Sequence, residues 1–150
     1  MLQKGNPIPD ITLEDQNGNP VSLSSFRGKK PLVIYFYPKD NTRVCTAQAC
    51  GFRDNYEAFQ KVGAEVIGIS GDSSKSHRKV SESRNLPFLL LSDPKKKALN
   101  SFKVPSLFFG LLPGRVTFVV NKEGIIVHTF RADFNADNHI KEALKVLKNI

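Results

Sequence analysis

Two apolar runs, with a stripe of apolar residues at helical spacing between them, dominate the first half of the chain. Residues 32–37 are all apolar or aromatic, as expected for a strand covered on both faces of a sheet. Residues 65–70, just after Gly63, form a second segment that is apolar between Glu65 and Ser70. The stripe recurs at steps of four and three residues and consists of Cys45, Ala49, Phe52, Tyr56 and Phe59. It predicts a helix over residues 45–60, and hence a strand–helix–strand unit with parallel strands.

The rest of the chain adds further strands and helices around this unit. Short segments, either apolar or alternating between apolar and polar residues, flank turns that contain Asn and Gly. This pattern is typical of strands and hairpins. Predicted strands cover residues 11–13, 21–23, 88–91, 116–120 and 125–130. Predicted helices cover residues 74–84, 94–102 and a segment from Asp137 to the end that buries Ile140, Leu144 and Leu147. We therefore expect an α/β fold in a single domain, residues 1–150, with a central mixed sheet flanked by helices.

Charge and hydropathy restrict the classes of function. The chain of 150 residues has a net charge of +8, but its basic segment, residues 72–103, has few aromatics that could stack on bases. A solvated basic face is thus favoured over a nucleic-acid site. The longest apolar run is far shorter than the ~20 residues of a membrane span. No secretory signal is visible, so we expect the cytoplasm, or a plastid if a transit peptide has been removed.

Two cysteines, Cys45 and Cys50, lie five positions apart. Without a secretory signal, such a pair is typical of redox chemistry or metal binding. A zinc site needs about four ligands, and the three histidines show no ligand spacing with the pair, so no metal is expected. The alternative is that Cys45 is a small core residue on the apolar stripe.

The helical position of the two cysteines has a chemical consequence. Cys45 falls in the first turn of the predicted helix, where unpaired N–H groups and the helix dipole favour a reactive thiolate. Five helical steps place Cys50 ~140° around the helix and ~8.6 Å away between Cα atoms. A disulfide needs Cα atoms within about 7 Å. The pair can therefore form a disulfide only if the first turns of the helix unwind.

The segment around Cys45 resembles the active-site segment of peroxiredoxins, most closely of the Q-type branch, also called bacterioferritin comigratory protein. Pro38, Thr42 and Cys45 match the family signature Pro-x-x-x-Thr-x-x-Cys, and Cys50 stands where Q-type members have their second cysteine. The similarity spans nearly the whole chain and is closest to plant and cyanobacterial members. Further matches lie at residues 5–13, 66–72, 89–93 and 112–118, the last of which carries Arg115.

This resemblance implies a thioredoxin-like fold and a thiol peroxidase that reduces hydrogen peroxide and organic hydroperoxides. Cys45 is then the nucleophile that becomes a sulfenic acid, and Cys50 resolves it as an intramolecular disulfide that thioredoxin or a similar reductant reduces. Thr42 holds the peroxide, Arg115 stabilises the developing charge and Pro38 shields the sulfur. The resemblance also implies a monomer without metal, haem or flavin.

Some features depart from this reading or compete with it. Arg43 and Val44 replace the Pro-Gly that the family usually has before the cysteine, which predicts retained but altered peroxidase activity. Thr42 can also be a helix N-cap, Pro38 a strand terminator, and Arg53 a competitor for part of the role of Arg115. Two alternative functions stay open: a protein disulfide reductase or redox sensor, and a basic binding module with inert cysteines.

Overall fold

The computed structural model describes residues 1–107, 112–132 and 135–150. Among these residues there are nine strands and five α-helices. The strands are β1 Thr12–Glu14, β2 Pro20–Ser22, β3 Leu32–Phe36, β4 Glu65–Ser70, β5 Leu89–Ser92, β6 Ser106–Leu107, β7 Leu112–Pro113, β8 Val116–Val120 and β9 Ile126–Arg131. The helices are α1 Arg43–Asp54, α2 Tyr56–Lys61, α3 Ser74–Arg84, α4 Lys97–Ser101 and α5 Ala136–Lys148. Each strand predicted above lies within one residue of an observed strand, whereas β6 and β7 were not predicted.

A mixed sheet in the order β2-β1-β5-β4-β3-β8-β9 forms the centre of the fold. β3 pairs in parallel with β4, and β4 with β5, which confirms the predicted strand–helix–strand unit. β8 pairs antiparallel with both β3 and β9. All five residues of β3 are buried, because residues of α1, α2 and α5 pack on one face of this central strand and N-terminal segments together with α4 pack on the other. The predicted α/β class with a mixed sheet is confirmed.

The predicted helix over residues 45–60 is wrong in its bounds, because the chain forms two helices that meet at Asn55. The backbone and side-chain N–H groups of Asn55 both donate to the carbonyl oxygen of Gly51, so α1 ends at Asp54 and α2 begins at Tyr56. α1 also begins two residues earlier than predicted, at Arg43. The apolar stripe still faces inward, although Tyr56 is only half-buried.

Two other helices differ from their predicted form. The helix predicted from Pro94 begins only at Lys97, since the carboxylate of Asp93 accepts hydrogen bonds from the backbone N–H groups of Ala98 and Leu99 and fixes the first turn there. On α5, His139 is fully buried, whereas Leu144 is only half-buried. Among the described residues no helix is both long and apolar enough to span a bilayer.

Candidate active site

Cys45 lies at the carboxyl end of the central strand, where the chain turns from β3 through residues 37–42 into α1. It is the third residue of α1 and is 4% exposed. Cys50 lies further along the same helix and is half-buried, and both thiols are free. The prediction that the two cysteines share one helix, with Cys45 in its first turn, is confirmed.

Arg115 meets Cys45 from across the sheet. β8 pairs antiparallel with β3, with Phe36 opposite Val116, so the residue just before β8 lies at the same edge as the start of α1. Arg115 is 2% exposed, and its Nη2 donates to the Cys45 sulfur at 3.1 Å. This contact places a positive charge directly beside the buried sulfur.

Gln48 is a site residue that sequence reasoning missed. Its side chain is fully buried, and its Oε1 accepts a short hydrogen bond from Nη1 of Arg115. Residues three apart on a helix share a face, so Gln48 and Cys45 together present two acceptors to one guanidinium. The spacing of three residues could have indicated that Gln48 lies beside Cys45. It could not have shown that Arg115, 67 positions away from Gln48, bonds to both side chains.

The backbone that carries Arg115 is held by His139. The N–H of Ala132 donates to the carbonyl oxygen of Arg115 at 3.3 Å, and the carbonyl of Ala132 accepts from Nε2 of His139 at 2.8 Å. The other ring nitrogen of His139 bonds to the hydroxyl of Thr117 at 2.7 Å. His139 thus fixes α5 to both sides of the arginine-bearing segment.

Thr42 and Pro38 flank the cysteine differently. Thr42 occupies the N-cap position of α1 and is exposed, but its hydroxyl donates to the carbonyl of Lys39 at 3.1 Å and makes no side-chain cap bond. Pro38 directly follows the strand and is half-buried. It lines a pocket of about 260 Å³ with apolar side chains that include Phe36 and Leu99.

The residues that depart from the family pattern are helical in this chain. Arg43 is exposed and Val44 half-buried, and both lie in the first turn of α1. Val44 is not among the described residues with positive φ, so the conformational freedom of a glycine is not needed there. Arg53 does not share the role of Arg115: it donates to the carbonyl of Arg84 at 2.7 Å and pairs with Asp54.

A buried network anchors the loop between Pro38 and Thr42. The carboxylate of Asp40 accepts hydrogen bonds from the hydroxyls of Tyr37 (2.6 Å) and Ser76 (2.7 Å) and contacts Nδ1 of His77 at 2.8 Å. Nε2 of His77 lies 3.0 Å from the carbonyl of Leu91. Both ring nitrogens of His77 therefore face acceptors, since a carboxylate and a carbonyl only accept hydrogen bonds. These buried hydrogen bonds tie the site loop to α3.

Asp40, Asp72 and His77 also form a group with the ligand types that metals use. Their atoms already bond to one another: Asp72 accepts from the backbone N–H of Asp40 at 2.8 Å and from Ser70 at 2.6 Å. This pattern satisfies each donor with an acceptor in the protein itself. The group is best described as the loop anchor.

The anchor predicts a specific loss of stability in acid. Burial by itself raises the pKa of Asp40, but the hydrogen bond and charge of His77, with the hydroxyls of Tyr37 and Ser76, outweigh it and hold this pKa below the usual 3.8. A lowered folded-state pKa gives stability that is present above the unfolded-state value and is lost as pH falls through the folded-state value. Measured by urea unfolding, the free energy of unfolding should fall less between about pH 5 and about pH 3 in Asp40→Asn than in the native chain. Equal losses would contradict the assignment.

The chain is similar over its whole length to proteins of one family. The AhpC/TSA family model matches residues 4–129. A chloroplastic peroxiredoxin Q of Sedum lineare is 52% identical over 149 residues, which cover 99% of this chain and 80% of the relative. The crystal structure of the peroxidoxin BcpB of Mycobacterium tuberculosis matches with a TM-score of 0.93 at 34% identity, covering 100% of this chain and 99% of that one.

A third match concerns activity. A structure of the bacterioferritin comigratory protein of Xanthomonas campestris, described with its alkyl peroxide reduction activity, has a TM-score of 0.85 at 32% identity and covers 93% of this chain and 90% of that one. The predicted thioredoxin-like fold of peroxiredoxins is confirmed by these structures. A buried cysteine at a helix start, bonded to a buried arginine, is the arrangement that thiol-based peroxide reduction needs. The chain belongs to the AhpC/TSA family and is a thiol peroxidase of the peroxiredoxin type.

Proposed function

We propose that Cys45 is the peroxidatic cysteine of this enzyme. Its thiolate sulfur attacks one oxygen of the peroxide and the O–O bond breaks. The other oxygen takes a proton and leaves as water or, for an organic hydroperoxide, as an alcohol. Cys45 is oxidised to a sulfenic acid. The observation that carries this proposal is the 3.1 Å contact between Nη2 of Arg115 and the sulfur.

Arg115 stabilises charge in this step, and Gln48 positions it. The guanidinium is nearly excluded from solvent, so its interaction with the thiolate and with the parting oxygen is weakly screened. The hydrogen bond from Nη1 to Gln48 leaves Nη2 directed at the sulfur. The arginine is therefore set before the peroxide arrives and needs no reorganisation.

Thr42 and Pro38 shape the entrance to the sulfur. Thr42 is exposed one turn before Cys45, and rotation of its hydroxyl away from Lys39 would let it bond to an incoming peroxide. Pro38 lacks an N–H group and has a fixed φ, so it both ends β3 and limits water near the loop. Their roles are proposed from the motif, and the anchored loop supports them by holding both residues in place.

Cys50 resolves the sulfenic acid. Its thiolate attacks the sulfur of Cys45, a disulfide forms, and the sulfenic oxygen leaves as water. Because both residues lie on α1 with free thiols, the helix must open at its N-terminal turns for the sulfurs to meet. The disulfide is therefore coupled to local unfolding.

The other partners follow from the chemistry and from the relatives. A thioredoxin-like dithiol returns the disulfide to two thiols by exchange, and thioredoxin is the donor we propose. Hydrogen peroxide and organic hydroperoxides are the proposed substrates, with alkyl peroxide reduction described for the Xanthomonas protein in support. The chloroplastic relatives favour a plastid over the cytoplasm that the sequence first suggested. We also propose a monomer with one domain over residues 1–150.

One trapping experiment tests the roles of the two cysteines. One equivalent of hydrogen peroxide should convert the native reduced chain to a Cys45–Cys50 disulfide, detected by peptide mass spectrometry. Cys50→Ser should stop at a sulfenic acid on Cys45, trapped with dimedone. Cys45→Ser should consume no peroxide and leave Cys50 free.

The outcomes separate the proposal from its alternatives. Dimedone labelling of Cys50 rather than Cys45 would reverse the two roles. An unreactive Cys45 in the native chain would indicate an inert core residue. Rapid disulfide formation with thioredoxin but not with peroxide would indicate a protein disulfide reductase.

A further inference from the structure

The hydroxyl of Tyr35 is a buried polar group that the mechanism above does not use. Tyr35 lies on β3 and is 1% exposed. Among the described residues, its oxygen has no hydrogen-bond partner. Buried hydroxyls in folded proteins are nearly always bonded, and one that is not destabilises the conformation that buries it. A conformation in which water can bond to this hydroxyl does not carry that cost.

The packing around Tyr35 explains the missing partner. Tyr35 pairs in register with Gly68 of β4. A Cβ at position 68 would lie 2.7 Å from Cζ of Tyr35, 2.8 Å from its hydroxyl oxygen and 2.9 Å from a methyl group of Leu90. The glycine thus makes room for the phenol over the sheet, among hydrocarbon neighbours.

Helix α1 covers the same ring from the other side. Phe52 stacks on Tyr35 with the ring centroids 4.7 Å apart, and Cys45 and Ala49 belong to the same buried cluster. Burial raises the pKa of Tyr35 well above its usual value, and negative charge at Cys45 is the next largest cause. The ring of Tyr35 therefore lies between β4 and Phe52 of α1, the helix that opens.

We propose that the Tyr35 hydroxyl is a positioning group that favours the opened form of α1 and so speeds formation of the Cys45–Cys50 disulfide. This proposal rests on the roles assigned above to the two cysteines. In the closed helix the hydroxyl lacks a partner, whereas unwinding of α1 as far as Phe52 uncovers the ring and lets water bond to the hydroxyl. The closed form is destabilised while the opened form is not.

Speed of opening matters because a second peroxide competes with Cys50. If the helix stays closed, the sulfenic sulfur of Cys45 takes one oxygen from a second peroxide, whose other oxygen leaves as water or alcohol, and it becomes a sulfinic acid. The fraction of Cys45 that is over-oxidised per turnover thus reports the rate of opening, independently of how fast the first peroxide reacts.

The test compares Tyr35→Phe with Tyr37→Phe in the full chain. The two rings stack with centroids 5.4 Å apart, but the Tyr37 hydroxyl donates to Asp40 at 2.6 Å, so the control removes a bonded hydroxyl from the same cluster. Under peroxide with a recycling reductant, Tyr35→Phe should form sulfinic Cys45 about fivefold faster per turnover than the native chain. Its urea midpoint in the reduced state should rise, whereas that of Tyr37→Phe should fall.

Hydrogen exchange gives a second readout that does not depend on turnover. In reduced Tyr35→Phe, backbone amides of residues 45–52 should exchange more slowly than in the native chain, with α5 unchanged. Unchanged over-oxidation, or a lower urea midpoint in Tyr35→Phe, would overturn the proposal. Failure of the cysteine roles is distinguishable, because the native chain itself would then form no Cys45–Cys50 disulfide.

Discussion

Arg115→Met is expected to slow the reaction of Cys45 with peroxide by about two to three orders of magnitude, the loss typical for removing one preorganised donor from a catalytic site. Methionine keeps a long unbranched side chain but removes the donor 3.1 Å from the sulfur and the bond to Gln48. The measurement is the second-order rate constant for hydrogen peroxide, obtained by competition with a second peroxidase so that the reductant does not limit it.

Two further variants make this result specific. Arg53→Met removes an arginine that contacts Arg84 and Asp54 instead of the cysteine, and its rate constant should stay within about twofold of native. Arg115→Lys should be intermediate, because an ammonium keeps the charge but lacks the planar fork that reaches Gln48 and the sulfur together. A native rate in Arg115→Met would show that the helix start alone activates Cys45.

Asp40→Ala is expected to lower the free energy of unfolding by about 3–5 kcal/mol at neutral pH, because it leaves three partners without their acceptor at about 1–3 kcal/mol each. The histidine that remains is fully buried, and its Nδ1 loses the carboxylate that lies 2.8 Å away. Tyr37 and Ser76 lose their acceptor as well. Urea denaturation followed by circular dichroism measures the loss.

The matched control removes a carboxylate from an exposed pair. Asp54→Ala breaks the contact with Arg53, in which both side chains are partly exposed, and should change the free energy of unfolding by under about 1 kcal/mol. In a double-mutant cycle, Asp40→Asn with His77→Gln should cost less than the sum of the single changes. Additive losses would show that the two side chains do not stabilise each other.

Local patterns accounted for the strands and for the cysteine motif, and they failed where one side chain bonds to nearby backbone and sets the end or the start of a helix. The βαβ unit follows from apolar periodicity, which is set by neighbours along the chain. The break at Asn55 and the late start of α4 depend on where one side chain happens to bond. Sequence pattern cannot distinguish these bonds from the others that Asn and Asp make near helix ends.

Residue spacing alone establishes an α/β protein with one cysteine at a helix start and a second cysteine too far along the helix to reach it without unwinding. Those conclusions depend on spacing, which folding does not alter. Folding adds that Arg115 bonds to both Gln48 and Cys45 and that Asp40 ties the site loop to His77. It also buries the Tyr35 hydroxyl without a hydrogen-bond partner among the described residues. Each of these joins residues that are distant in sequence or depends on close packing across the sheet. The register of the strands sets such contacts, and no local pattern encodes that register.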